Sequence, residues 1–328
     1  MKVIIVGLGS MGKRRLRLIR NISKDIEIIG VDSRKERIQE VRELYGIECL
    51  QNIRSAVEMG NVDCAFVCTS PLSHKQVIKE LLENNLNVFT EINLVSDGYE
   101  ELIALAKEKN KVLFLSSTFL YRKDIEAIIE EVKDSKVNYM YHTGQYLPDW
   151  HPWENFKDFF VADVRTNGCR EIMAIELPWI VRCFGDVEII HVVKGENLTS
   201  LELGYCDNYL MIIKHKNGNK GMIAVDVVSR IARRNLDVFG ENIHLLWDGT
   251  PSSLQKFDLV SKKMVPISTY EIIDKDNRYS KNIIENAYAD EILAFINEVT
   301  TGEKTKTKYS FEEDMEILKL INSIEYGD

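Results

Sequence analysis

The stretch Lys2-Val3-Ile4-Ile5-Val6-Gly7-Leu8-Gly9-Ser10-Met11-Gly12 decides the fold. Its first five residues, rich in β-branched side chains, predict a strand. Gly7-Leu8-Gly9-Ser10-Met11-Gly12 follows at once and opens a segment with apolar residues at helical spacing (Leu16, Leu18, Ile19). A lone Gly-x-Gly-x-x-Gly is weak evidence and is also compatible with a plain glycine turn. A strand before it, a helix after it and an acid downstream make it a dinucleotide loop. Gly7 allows the tight turn, Gly9 lets the backbone approach a pyrophosphate, and Gly12 lets helix and strand pack closely. The helix N-terminus then offers free N–H groups to the phosphates. Asp32 lies twenty residues past Gly12, at the end of the next predicted strand. A carboxylate there accepts hydrogen bonds from the adenosine ribose and repels a 2′-phosphate, so NAD is expected over NADP. Ser33 and Arg34 follow Asp32, and Arg34 leaves NADP open. The run Lys13-Arg14-Arg15 reads either as added charge near the phosphates or as a solvated helix face.

Outward from the loop the pattern repeats. Ile26–Val31, Val62–Cys68, Asn87–Thr90 and Val112–Leu115 predict strands, and Arg34–Tyr45, His74–Asn84 and Tyr99–Lys109 predict helices. Alternation with short connections predicts an α/β fold, a doubly wound parallel Rossmann sheet over residues 1–120. After Leu120 the rhythm changes. A helix is expected over Ile125–Val132 and another around Asn155–Phe160. Leu210–His215 and Gly221–Val228 flank an Asn-Gly turn, and Asn235–Phe239 and Ile243–Trp247 flank a second glycine-containing turn. Residues 121–328 therefore predict an α+β domain with a largely antiparallel sheet, returning to helix over Asn282–Ile324.

The chain has 328 residues, 45% hydrophobic and 28% charged, with a net charge of −9. That balance gives no electrostatic footprint for nucleic acid or an anionic membrane. No basic leader precedes a long apolar run, and no apolar stretch approaches the roughly 18 residues that span a bilayer. A cytoplasmic location is expected. The six cysteines show no Cys-x-x-Cys spacing and read as reduced structural thiols. No metal-ligand spacing and no Gly-x-Ser-x-Gly elbow occurs.

These residues resemble the Gfo/Idh/MocA family, the relatives of glucose–fructose oxidoreductase and inositol dehydrogenase. The carriers are the glycine loop with Lys13-Arg14-Arg15, Thr69-Ser70-Pro71 with His74, and Asn87-Val88-Phe89-Thr90-Glu91. The closing segments Tyr288 to Phe295 and Tyr309-Ser310-Phe311-Glu312-Glu313-Asp314 are also similar. The resemblance implies a Rossmann domain followed by an α+β domain with an open sheet used for oligomerisation, as a dimer or tetramer. It implies hydride transfer between a sugar or cyclitol hydroxyl and a nicotinamide. Thr69, Ser70 and Pro71 match the loop against the cofactor, and Glu91 matches the glutamate near the nicotinamide ribose. For His74 a solvent-facing or helix-capping role stands beside contact with the cofactor.

The proton-handling positions depart from the family. Its lysine after Glu91 falls on Ile92, and its histidine and aspartate fall on Ile175 and Pro178. None of these side chains can take a hydroxyl proton as hydride leaves, which forfeits roughly 10²–10⁴-fold of general-base help. Glu176 and His151 are the candidate substitutes by position. Arg170 and Glu171 near the start of the same helix, Trp150 and Trp153 in an aromatic loop, Tyr121, Arg122, and Arg165 as an anion anchor are candidate substrate contacts. The competing reading of the aromatic residues is core. The expected function is an NAD-dependent oxidoreductase acting on a sugar or derivative, phosphorylated or nucleotide-linked forms included. The alternatives are a non-catalytic NAD-binding sensor or partner protein, and a lyase or glycosidase that oxidises its substrate transiently.

Overall fold

The computed structural model describes residues 1–152, 154–276, 283–304 and 306–327. The chain divides into two compact units. The first holds Met1–Thr118 and, from far along the sequence, Tyr288–Glu316; the second holds Phe119–Ala287 and Ile317–Asp328.

In the first unit β1 (Lys2–Val6) leads through α1 (Ser10–Ile22) to β2 (Glu27–Val31), α2 (Lys35–Tyr45), β3 (Glu48–Leu50) and α3 (Ile53–Glu58). Then come β4 (Cys64–Val67), α4 (His74–Glu83), β5 (Asn87–Thr90), α5 (Tyr99–Glu108) and β6 (Leu113–Leu115). The strands pair in parallel in the order β3-β2-β1-β4-β5-β6. β4 is buried throughout, as a strand covered on both faces must be. Phe66, Phe89 and Phe114 on neighbouring strands meet Phe295 with centroids 5.2 to 5.7 Å from it. β3 and α3 carry no expectation from the sequence, because they are too short for periodicity to register. Asn52 caps α3 by accepting from the Ser55 N–H at 2.8 Å.

The second unit begins with α6 (Lys123–Val132), β7 (Asn138–Gly144) and α7 (Gly168–Phe184). Strands β8 (Val187–Val193), β9 (Asn208–His215), β10 (Lys220–Asp226), β11 (Arg233–Gly240), β12 (Ile243–Trp247), β13 (Gln255–Asp258) and β14 (Lys263–Pro266) follow. They form one sheet in the order β14-β13-β12-β11-β7-β10-β9-β8. β10 pairs with β7 in parallel and the other pairings are antiparallel. The inner face buries Tyr141, Ile213, Ile223 and Trp247; Trp179 of α7 is buried with Tyr141 and Trp247. The other face is open, and Leu210, Ile212 and Met222 are about half exposed on it.

The helix expected around Asn155–Phe160 is replaced by single tight turns at Phe156–Asp158 and Phe160–Ala162. Asn155 bonds the Lys157 N–H, a local side-chain bond that competes with helix propagation. The closing helical stretch splits into α8 (Glu285–Thr301) and α9 (Phe311–Tyr326), broken at Gly302, whose φ is +74°; Asn282 lies outside the described residues. Among the described residues no helix is long and apolar enough to cross a membrane.

Candidate active site

The glycine loop has the shape its sequence requires. Gly7 sits at φ +93°, and a Cβ there would lie 2.6 Å from the Cys68 carbonyl oxygen. A Cβ on Gly12 would lie 1.9 Å from the Gly7 carbonyl oxygen. Gly9 precedes α1, which has no side-chain cap and no acid in its first turn. Its leading N–H groups are left to an anion by the helix itself. The loop thus fits a dinucleotide pyrophosphate, with Ser10, Met11 and Gly12 forming the first turn. Thr69 lies against it, its backbone nitrogen 2.9 Å from a Cβ placed on Gly7.

Asp32, expected on the adenosine ribose, is already engaged by the chain itself. Its Oδ2 accepts from the Leu8 N–H at 2.8 Å and its Oδ1 from the Arg34 N–H at 2.9 Å. The Arg37 guanidinium lies 3.6 Å from Oδ2 and 3.5 Å from the space above Gly9. Arg37 is a residue beside the loop that the sequence reading did not single out. Its signal was its place one turn into α2, beside Asp32.

The loop after β4 is braced from beneath. Ser73 Oγ bonds Thr69 Oγ1 at 2.8 Å and the Ser70 carbonyl at 2.7 Å. His74 is fully buried, its Nε2 3.0 Å from the Thr69 carbonyl and its Nδ1 on Asn93 Oδ1. Burial holds the imidazole pKa below its ordinary value, so it braces the loop as a neutral ring. That role, rather than contact or capping, is the one the hydrogen bonds support. Pro71 is buried and Ser70 exposed on the same turn.

The basic run resolves into three different fates. Lys13 pairs with Glu40 at 2.6 Å near the surface. Arg14 is buried over the Tyr288 ring. Arg15 is wholly buried and clamps two carboxylates. Its Nε and Nη2 donate to Glu91 at 2.6 and 3.1 Å, and Nη2 also donates to Glu291 at 2.8 Å. Glu291 in turn accepts from the Ser117 N–H at 2.7 Å. Glu91, expected beside the nicotinamide ribose, therefore spends both oxygens on Arg15.

The expected catalytic residues lie in the second unit. Glu176 is buried, as expected of a tuned base, but its surroundings are not apolar. Tyr141 Oη and Trp179 Nε1 each donate to Oε2 at 2.7 Å, while Arg234 Nε donates to Oε1 at 2.7 Å. Thr143 adds a fourth contact at 3.4 Å. These donors engage both carboxylate oxygens, and Glu176 ties α7 to the sheet. His151 pairs with Glu154 at 2.6 Å and stacks on Phe159.

The expected substrate contacts divide likewise. Arg170 is buried against Glu325 and Asn322 of α9. Arg122 is buried, bidentate on Asp124 at 2.9 and 2.5 Å, and also donates to the Gly249 carbonyl. Tyr121 is core. Trp150 donates to the Gln145 carbonyl at 3.0 Å and packs on Gly168. Arg165 is exposed, and Trp153 lies outside the described residues.

Glu171 is different. It lies in the first turn of α7, and among the described residues its buried Oε2 has no hydrogen-bond partner. Burial without compensation pushes its carboxyl up to about 8. Burial also raises the Tyr205 hydroxyl against the pull of a hydrogen bond to the Gly168 backbone, and the Cys169 and Glu171 charges add to the rise. Glu171 thus combines, among the described residues, a carboxyl raised toward neutrality with an unengaged oxygen.

A glycine-loop Rossmann unit joined to an α+β unit defines a dinucleotide-dependent oxidoreductase architecture. Residues 1–117 match the Gfo/Idh/MocA model, described as an oxidoreductase family with an NAD-binding Rossmann fold. The match covers the first 117 of the 328 residues. It is 22% identical over 324 residues to myo-inositol 2-dehydrogenase of Thermotoga maritima, covering 92% of this chain and 89% of that protein. It is 28% identical over 204 residues to human biliverdin reductase A, which is 59% of this chain and 62% of the reductase. Among solved structures, UDP-N-acetylglucosamine 3-dehydrogenase of Acidithiobacillus ferrooxidans shares the fold with a TM-score of 0.76 at 13% identity. That superposition covers 100% of this chain and 97% of the other.

Proposed function

We propose that the chain is an NAD-dependent dehydrogenase of a sugar or sugar derivative in which Glu171 moves the hydroxyl proton. The observation that carries this is the unpartnered, buried Oε2 of Glu171. A bound nicotinamide supplies the hydride acceptor. Glu171 takes the alcohol proton when oxidation runs, and gives it back when a carbonyl is reduced. Tyr205 offers a hydroxyl to orient the same substrate oxygen. Glu176 and Arg234 hold α7 in place and touch no proton. The relatives named for inositol and UDP-sugar dehydrogenation support a polyhydroxylated substrate. Assay of NADH formation against a panel of sugars, sugar phosphates and nucleotide sugars, comparing the native enzyme with Glu171→Gln, tests the proposal.

For the cofactor we favour NAD, with a preference that Arg37 softens. Asp32 repels a 2′-phosphate, while the neighbouring guanidinium partly cancels its charge. Arg37→Ala is expected to lower kcat/KM for NADPH about tenfold, the worth of one charge-assisted bond, and leave NADH within about twofold. Equal losses with both cofactors would show that Arg37 does not address the 2′ position.

We further read the open sheet face as the contact with a second copy of this chain. Leu210, Ile212 and Met222 form an apolar centre, and His142, His191 and Asp237 stand around it in a concavity of about 910 Å³. A centre with both basic and acidic neighbours suits a two-fold partner presenting the same face. Ile212→Asp with Met222→Asp is expected to convert the oligomer to monomer in light scattering. A monomeric native protein would refute the assignment.

A further inference from the structure

The first turn of α7 is tied to the end of α9. Asn167 caps α7, its Oδ1 accepting from the Arg170 N–H at 2.8 Å. Through Nδ2 the same side chain donates to the Val164 carbonyl at 3.0 Å and to Glu325 Oε1 at 2.6 Å. Glu325 lies in the last turn of α9, and its Oε2 accepts from Arg170 Nη1. Arg170 Nη2 donates to Asn322 Oδ1 at 2.8 Å, about one turn earlier on α9. Asn167, Arg170 and Glu325 are all buried. Lys194 clamps the same helix end, its Nζ donating to the Ile324 carbonyl at 3.2 Å and to that of Glu325.

Arg170 is the residue next to Glu171. A cation within about 4–6 Å holds a carboxyl down by about 1–3 pH units. Adjacent helical positions do not face one another. A guanidinium on its long stem can nonetheless swing across that gap when nothing tethers it. Here α9 takes the guanidinium at both Nη atoms, and burial alone sets the Glu171 carboxyl. Tyr205, Cys169, Asp207 and Asp226 stand around this turn, and none of them is a cation. Asp207 is held by the N–H groups of Leu198 and Thr199 at 3.1 and 2.9 Å. Arg165, on the tight turn before α7, is exposed.

We propose that Glu325, helped by Asn322, is a positioning residue for Glu171: it holds Arg170 on α9 and so keeps a guanidinium off the carboxyl that moves the proton. The assignment rests on the dehydrogenase reading above and adds the residue that governs its proton carrier.

The test titrates Glu171 directly, by carbon NMR of the full chain with isotope-labelled glutamate carboxyls. The Glu171 signal is assigned by its loss in Glu171→Gln. The native midpoint is expected at about 8. Glu325→Gln releases Arg170 and is expected to lower that midpoint by about 1–3 pH units. Glu325→Gln combined with Arg170→Met removes the cation as well, and the midpoint should return to about 8. Replacing both members of a buried pair by uncharged groups is often neutral for stability, so this variant is expected to fold. A residue that merely stabilised the helix would shift the midpoint alike in both variants. If Glu325→Gln does not fold, Asn322→Leu frees Nη2 alone and should lower the midpoint by about 1 unit. A native midpoint in the ordinary carboxylate range overturns the proposal. So does an unshifted midpoint in the releasing variant that folds, or an equal shift in Glu325→Gln with and without Arg170→Met. Turnover does not enter this readout. Failure here leaves the proton-moving role of Glu171 standing, and unchanged turnover in Glu171→Gln leaves these midpoints standing.

Discussion

Glu171→Gln is expected to lower turnover by about 10²–10⁴-fold, the range general acid–base help supplies, with NADH affinity unchanged. The pH dependence carries a second signature. With its carboxyl pushed up to about 8, Glu171 serves as base only once deprotonated, so oxidation should rise through that pH and carbonyl reduction should fall. In the glutamine variant this limb disappears. Stability moves oppositely. A carboxyl whose folded pKa is raised favours the folded state fully below its unfolded value, near 4.3, and loses that contribution as pH rises through about 8. Glu171→Gln should therefore match the native protein in mild acid and exceed it in denaturant midpoint above pH 8. Unchanged turnover, with Glu176→Gln abolishing it instead, would return the role to Glu176 and refute the reading of that residue as a brace.

The largest stability effect is expected at Arg15. Arg15→Met leaves Glu91 and Glu291 buried without their cation, a change that costs about 3–5 kcal/mol in urea unfolding. The two carboxyls should then rise in pKa. A raised carboxyl loses its contribution as pH increases, so the variant should be weakest at neutral to alkaline pH and recover in acid. The direction is already visible in the native protein, where burial raises Glu291 against the opposing pull of Arg15. Arg15→Lys restores the charge but not the fork, and should recover only part of the loss. A change below about 1 kcal/mol would place Arg15 among surface-like pairs.

What the sequence made legible follows physical range. The glycine loop, β1, β5 and the parallel sheet were readable because each is a local pattern: period, turn and cap within a dozen residues. Arg15 was partly readable. It sits with Gly12, Leu16 and Ile19 at helical spacing, on the buried face of α1, and the charge alone drew it to the surface. Its partners Glu91 and Glu291 were not readable, because nothing local links residues so far apart. Glu176 was singled out by position, but its donors Tyr141, Thr143 and Arg234 come from strands paired only in three dimensions. Glu171 was placed near the site but given a lesser role, since an unmet hydrogen bond is a property of the folded chain.

The return of Tyr288–Glu316 to the first unit bears on how the protein is made. Arg15 leaves the ribosome early, and its second carboxylate, Glu291, is 276 residues behind it. At roughly 5–20 residues per second, the nascent Rossmann sheet waits on the order of ten seconds to a minute before that bond can close. During synthesis the cofactor half is thus an unfinished structure whose keystone arrives last. Chains truncated before α8 should lack it altogether and depend on chaperones or be degraded.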